Sequence, residues 1–394
     1  MNTITNQHNE GMMHPEEKIR PFRIDVSPEA LDDLKDRLSR SRYPELPDTG
    51  WERGVPLAYL KEIKTYWQDH YDWRKQEKLL NELPHFITTI DGQDIHFIHI
   101  QSPEPDAVPL MLIHGWPGSF AEFWDVIEPL TNPRKHEGGP ADAYHVVIPS
   151  IPGFGFSVPL REPGWTPARI ARTFLQLMDR LGYARFGVQG GDTGAFVAPE
   201  MGRQAPERVI GIHLNAFITF PSGEESEMDG LSEEEKLRLT RLESFNDGYL
   251  QIQSKSPQTL AYALHDSPVG QLAWILEIFK QWTNPAEALP EESIDRDRML
   301  TNISLYWFSG AAGSSAQIYY ESLHDPEGWV PKEKGTVPTG VLVSRSHDTA
   351  VRRFAEKDHH IVHWTECSEG GHFYAMEQPQ RFVEDVRQFF RALR

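Results

Sequence analysis

The chain has 394 residues, 39% of them apolar and 25% charged, a balance that excludes a disordered polymer and provides for a sizeable core. Lys and Arg number 39 against 58 Asp and Glu, leaving a net charge of −19, so the basic surface that binds phosphate backbones is missing and a nucleic-acid partner is excluded. A lone cysteine, Cys367, rules out an intramolecular disulfide and a cysteine-built zinc site, and no apolar run approaches the ~18 residues of a membrane span. The expectation is a cytoplasmic, soluble protein without membrane contact.

Residues 1–20 are polar and aperiodic, as in a flexible tail. Phe22-Arg23-Ile24-Asp25-Val26 alternates like a strand. Ser27 and Pro28 then supply a helix cap and a first-turn proline, and Leu31, Leu34 and Leu38 recur at helical spacing. A second amphipathic helix spans about residues 57–70, with Tyr59, Ile63 and Trp67 on one stripe; residues 21–85 thus read as an N-terminal helical segment. Two alternating runs, 86–90 and 95–100, flank Asp91-Gly92 and predict a hairpin, with His96 and His99 as strand residues.

Residues 108–113 are continuously apolar, as expected of a strand buried on both faces. Further buried strands at 144–148 and 186–189 enclose a helical stretch at 168–181, the alternation of a parallel sheet covered by helices. Between 216 and 335 the rhythm changes to long helical patterns, including 259–282. Strands resume at 337–344 and 361–364, and a final helix covers 379–393. The predicted class is α/β: a core of residues 86–215 and 336–394, with a mostly parallel central sheet and helices on both faces, carrying a mainly helical cap at 216–335.

Val188-Gln189-Gly190-Gly191-Asp192-Thr193-Gly194 predicts a strand that turns sharply into a helix near Ala195. So tight an elbow leaves room only for small residues around the strained position, here Asp192. A carboxylate there is ionised at neutral pH and can attack carbon directly to form an ester. An ordinary strand-loop-helix turn with Asp192 as N-cap would show the same residues. His114-Gly115-Trp116-Pro117-Gly118-Ser119 follows the strand ending at Ile113, where the N–H of Trp116 and that of Thr193 would form a two-part oxyanion hole; a tight structural loop is the alternative. After the last strand, Glu369-Gly370-Gly371-His372-Phe373 places an imidazole downstream of nucleophile and acid, the order this architecture uses.

Together with Pro149-Ser150-Ile151-Pro152-Gly153-Phe154-Gly155-Phe156-Ser157 and the stretch Gly248-Tyr249-Leu250-Gln251-Ile252-Gln253, these motifs resemble the epoxide hydrolases of the α/β-hydrolase superfamily, most closely the microsomal-type branch. The resemblance covers the chain from about Pro21 onward, although the membrane-anchored members begin with an apolar helix that this sequence lacks. It implies an α/β-hydrolase fold with a cap and a small-molecule epoxide as substrate. It calls for no metal and no organic cofactor, and it leaves a homodimer open.

For the site, the resemblance implies that Asp192 attacks the epoxide, Tyr249 and Tyr319 protonate the opening ring, and His372 activates the water that hydrolyses the ester. Tyr320 is the neighbouring alternative to Tyr319. The acid behind His372 is expected at Asp348, but Ser344-Arg345 stands where the family shows Phe-Pro and the acid falls one residue later; Glu356 and Asp358 are alternatives. Haloalkane dehalogenases share the aspartate nucleophile but commonly follow it with Trp, where Thr193 stands. A hydrolase-like binding protein without turnover is the rival from a different class.

Overall fold

The computed structural model describes residues 18–328, 330 and 332–394. Among these residues nine strands form one sheet: β1 (Arg20–Phe22), β2 (His85–Ile90), β3 (Gln93–Ile100), β4 (Val108–Ile113), β5 (Tyr144–Pro149), β6 (Phe186–Gly191), β7 (Val209–Asn215), β8 (Pro338–Ser344) and β9 (His360–Cys367). Their order is β1-β2-β3-β5-β4-β6-β7-β8-β9. The pairs from β1 to β5 are antiparallel, and from β5 through β4 to β9 every pair is parallel. The class is therefore the expected α/β architecture.

The hairpin closes as its sequence predicts. Asp91 and Gly92 both have positive φ, 49° and 76°, and Ile90 pairs with Gln93, the two-residue turn whose twist matches the strands. On the parallel strands, alternation divides the core in two. Leu110, Leu112, Val146 and Ile148 meet the helices Trp124–Thr131 and Pro379–Arg391, while Met111, Ile113, Val147 and Val188 meet Pro167–Arg180 and Thr193–Gln204. Strands covered on both faces read as unbroken apolar runs for this reason. The sequence reading passed over β7, whose run is interrupted by Gly211; a side chain there would meet Phe389 and Leu393 of the C-terminal segment.

Two N-terminal expectations are corrected. Of the expected tail, residues 1–17 lie outside the described residues, and Arg20 already belongs to β1. The strand expected at 22–26 ends at Phe22, because its partner β2 begins at His85, opposite Phe22, and offers no further backbone groups. Side chains replace the ladder: the Ile24 N–H donates to Asn81 Oδ1 (2.9 Å) and the Val26 N–H to Glu77 Oε1 (2.7 Å). The helix that follows, Pro28–Ser39, starts at Ser27, whose Oγ accepts the Ala30 N–H (3.2 Å).

Between β7 and β8 the chain forms the helices Glu233–Ser244, Gly248–Lys255, Pro257–Asp266, Pro268–Trp282, Arg296–Ser309 and Ala311–Leu323. The N-terminal segment clamps this insertion from outside. Tyr66 Oη donates to Asp297 (2.9 Å), Trp67 Nε1 to Ser304 (3.0 Å) and Tyr59 Oη to Glu291 (2.6 Å). From inside, Arg296–Ser309 grips the loop after β4: Asn302 Nδ2 donates to the Pro117 carbonyl and Tyr306 Oη to the Gly118 carbonyl, each at 2.7 Å. No helix among the described residues is long and apolar enough to cross a membrane.

Glu77 accepts the Val26 N–H and Trp73 Nε1 (3.1 Å) in a buried setting. Glu77→Ala would leave both donors unpaired and is expected to lower the unfolding free energy by ~2–4 kcal/mol in urea titrations. An unchanged midpoint would show that the N-terminal segment does not depend on this carboxylate.

Candidate active site

The sheet reverses its strand sequence at β4, which lies between β5 and β6. Loops leaving the C-terminal ends of β4 and β6 therefore stand side by side at the switch point where open α/β sheets bind ligands. At the β6 end, Asp192 takes φ 53° and ψ −118°, a conformation that costs a non-glycine residue strain. Its neighbours must be small: a Cβ on Gly190 would collide with the Gly194 carbonyl, one on Gly194 with the Ile113 carbonyl, and one on Gly115 with the Asp192 carboxylate.

Asp192 does not cap the helix Thr193–Gln204. Its Oδ1 instead accepts the Trp116 N–H (2.9 Å) and Thr193 Oγ (3.0 Å), and the Thr193 N–H points to the same carboxylate. Oδ2 faces His372, with Nε2 at 3.6 Å. Burial pushes the Asp192 carboxyl up to about 6, against the pull of the Trp116 and Thr193 donors. Burial also pushes His372 down to about 3, so at neutral pH the imidazole is an uncharged acceptor.

Two cap phenols close the other side. The Tyr249 ring stacks on the Trp116 indole with centroids 5.2 Å apart and planes 8° from parallel. The Tyr319 ring stands edge-on to both, at 5.8 Å from Trp116 and 5.7 Å from Tyr249. The Tyr319 hydroxyl is buried without a hydrogen-bond partner among the described residues. Burial, then the Asp192 charge, pushes both phenols well above the usual tyrosine range. Tyr320, one helix position on, is exposed and stacks on His324 at 4.1 Å.

Asp348 is buried on the loop after β8, yet no ion pair or hydrogen bond joins it to His372 among the described residues. The loop closes on itself: Asp348 Oδ2 accepts the Ser344 N–H (2.8 Å), and the Asp348 N–H donates to the Ser344 carbonyl (2.9 Å). Burial pushes this carboxyl up to about 7, opposed by the Ser344 N–H and by Arg238 and Arg241. The residue that meets His372 from this loop is His347, its ring 6.0 Å from that of His372. Glu356 pairs with Arg352 at 2.7 Å, and Asp358 ends the same helix with its carbonyl accepting the Gly335 N–H; neither touches His372.

Asp192, His372, Tyr249 and Tyr319 share a cavity of about 1310 Å³ whose walls include Phe217 and Phe245. Among the described residues, no group of three or more His, Cys, Asp or Glu side chains could hold a metal ion. Two residues at the site escaped the sequence reading. Trp282, the last residue of a long cap helix, lays its indole against His372 with centroids 4.4 Å apart. Glu377, five residues beyond the imidazole, accepts the Phe373 N–H (3.1 Å). Neither carries a motif; only the carboxylate that ends the apolar run Phe373–Met376 after His372 could have drawn notice.

A family model described as epoxide hydrolase N terminus matches residues 19–123, and one described as alpha/beta hydrolase fold matches residues 108–264. A Stigmatella aurantiaca protein whose name places it among the epoxide hydrolases is 44% identical over 382 residues, 95% of this chain and 86% of its own length. Epoxide hydrolase 1 of Sus scrofa is 37% identical over 407 residues, with 95% and 89% covered. The crystal structure of juvenile hormone epoxide hydrolase from the silkworm Bombyx mori superposes with a TM-score of 0.87 at 32% identity, covering 96% of this chain and 95% of that one.

Desolvation and the three donor groups of Trp116 and Thr193 act in opposite directions on Asp192, and desolvation wins. A carbon-13 carboxyl NMR titration, assigned by the signal lost in Asp192→Asn, is expected to show a midpoint near 6. A midpoint at or below the free value of 3.8 would mean that the donors outweigh burial.

Proposed function

Because the chain belongs to the epoxide hydrolase family, we propose that it converts a small-molecule epoxide and water to a vicinal diol through an ester on Asp192. One observation carries this reading: the two oxygens of Asp192 have different surroundings. Oδ1 is held by the Trp116 and Thr193 donors, while Oδ2 faces His372 in the cavity. Oδ2 is accordingly the nucleophile, and Oδ1 the atom on which negative charge develops during ester hydrolysis.

In the first half-reaction Oδ2 bonds to an epoxide carbon, and the breaking C–O bond leaves its electron pair on the ring oxygen. That alkoxide takes a proton from Tyr249 or Tyr319. The Asp192 charge contributes to holding both phenols protonated, and it disappears as the neutral ester forms. The phenols thus become stronger acids at the moment a proton is needed.

In the second half-reaction neutral His372 takes a proton from water as the water oxygen attacks the Asp192 carboxyl carbon. The oxyanion on Oδ1 is met by the Trp116 N–H at 2.9 Å and the Thr193 hydroxyl at 3.0 Å, and the Thr193 N–H faces the same carboxyl group; loss of one such donor typically costs ~3 kcal/mol. Collapse expels the diol oxygen, which takes the proton from the imidazolium, and the carboxylic acid left on Asp192 returns its proton to the phenolate formed in the first half-reaction, so that carboxylate and phenol are both restored. Asp348 is kept as the acid of this relay on its burial in the loop after β8, which Ser344 Oγ joins to the base loop at the Gly370 carbonyl; burial pushes its carboxyl up to about 7, and no hydrogen bond or ion pair joins it to His372 among the described residues. Neither rival reading has an observation in its favour. Phenols suit an oxygen leaving group better than a halide, and no catalytic position is vacated.

In a single turnover in oxygen-18 water, the label is expected in the Asp192 carboxylate and not in the diol, and His372→Gln is expected to accumulate the ester as a mass adduct on the Asp192 peptide. Label in the diol instead would sink the ester mechanism. Tyr249→Phe and Tyr319→Phe are each expected to slow ring opening ~10-fold, and the double variant by ~10³-fold or more. Wild-type ring opening in the double variant, measured by rapid-quench mass spectrometry, would remove the phenols from the mechanism.

A further inference from the structure

His372 sits in a loop, residues 368–373, between β9 and the short helix Tyr374–Glu377. Loop amides lack ladder partners, so a base carried there needs its backbone fixed by other groups. Here the N–H groups on both sides of His372 face one carboxylate. The Phe373 N–H donates to Glu377 Oε1 at 3.1 Å, and the Gly371 N–H is directed to the same group. The other oxygen, Oε2, accepts the N–H of Asn284 at 2.9 Å. Asn284 lies two residues beyond the cap helix Pro268–Trp282.

Further contacts run along the same seam. The His372 N–H donates to the Trp282 carbonyl (2.9 Å), Asn284 Nδ2 to the Ser368 carbonyl (3.4 Å), and the Phe279 and Phe373 rings stack at 4.5 Å. Gly371 must lack a side chain, since a Cβ would collide with the Trp282 carbonyl. Glu377 is 8% exposed and has no cation partner among the described ion pairs, so backbone N–H groups alone offset its burial. Burial pushes its carboxyl up to about 7, and the Asn284, Phe373 and Gly371 donors oppose that rise. The carboxylate thus bridges the amide after His372 and the amide of Asn284 with no cation to share the charge.

We propose that Glu377 is a positioning residue, which fixes the imidazole of His372 over Asp192 and ties that position to the seating of the cap through Asn284. The role rests on the assignment of Asp192 as ester-forming group and His372 as base. It divides the two half-reactions. Attack on the epoxide uses Asp192 and the phenols, none of which Glu377 contacts, whereas ester hydrolysis depends on where the imidazole stands.

Rapid-quench mass spectrometry of the full chain with styrene oxide reads ester formation and decay separately. Glu377→Gln keeps the volume but offers one acceptor oxygen and places an N–H against backbone donors. It is expected to form the ester within about 2-fold of the wild-type rate and to lose it ~10–100-fold more slowly, the scale of a base misplaced by about 1 Å. Glu377→Asp, which keeps the charge, is expected to recover part of the decay rate, and it carries the same comparison should Glu377→Gln not fold by circular dichroism. Ester decay at the wild-type rate in the variant, or equal slowing of both steps, would overturn the role. If the wild type itself forms no ester on Asp192, the underlying mechanism fails first, and that outcome is read from the wild-type trace alone.

Discussion

Two loops leave the ends of β4 and β6 and run against each other so closely that Gly115 and Gly194 tolerate no side chain between them, and Gly190 is held as tightly within the β6 elbow itself. Gly115 faces the Asp192 carboxylate, Gly190 the Gly194 carbonyl, and Gly194 the Ile113 carbonyl. From this approach the rest of the site follows. It brings the Trp116 N–H to Asp192 Oδ1, turns that side chain away from capping its own helix, and leaves the other oxygen facing the cavity. The strain at Asp192 persists because the strands on either side are locked in a parallel sheet buried on both faces.

Enclosure then sets the protonation states. One cause, removal from water, raises Asp192 to about 6, lowers His372 to about 3 and raises the two phenols. Each group stays in the form the proposed chemistry requires at neutral pH: an ionised nucleophile, a neutral base and neutral acids. Backbone donors keep the first of these from rising further, so the elbow moderates the same desolvation that the cap imposes.

The cap is consequently more than a lid. It carries Tyr249 and Tyr319 against Trp116, grips the β4 loop through Asn302 and Tyr306, and meets the base loop through Trp282 and Asn284. The N-terminal segment braces it from outside through Tyr59, Tyr66 and Trp67. A displacement of the cap would therefore move the proposed acids, oxyanion donors and base together, which links the seating of remote helices to the proposed chemistry.

The sequence by itself determined what depends on local constraint. The Asp91-Gly92 hairpin, the buried parallel strands and the capped helix after Ser27 were legible because turn dihedrals, strand burial and capping are properties of a few consecutive residues. The elbow motif and the loops holding Trp116 and His372 were legible for the same reason. Tertiary structure decided the rest. Adjacent residues on a helix point ~100° apart, so packing alone turns Tyr319 inward and Tyr320 outward. The Ser344–Asp348 turn holds the Asp348 carboxylate on its own backbone, a path that no residue pattern encodes. Ile24 and Val26 alternate like a strand but are held by Asn81 and Glu77, because whether a strand continues depends on a partner more than fifty residues away. Glu377 and Trp282 carry no motif at all: Glu377 reaches the Phe373 amide from within the same segment, but Trp282 meets His372, and Asn284 meets Glu377, only because the cap folds back onto the end of the sheet, contacts set by the assembled layers.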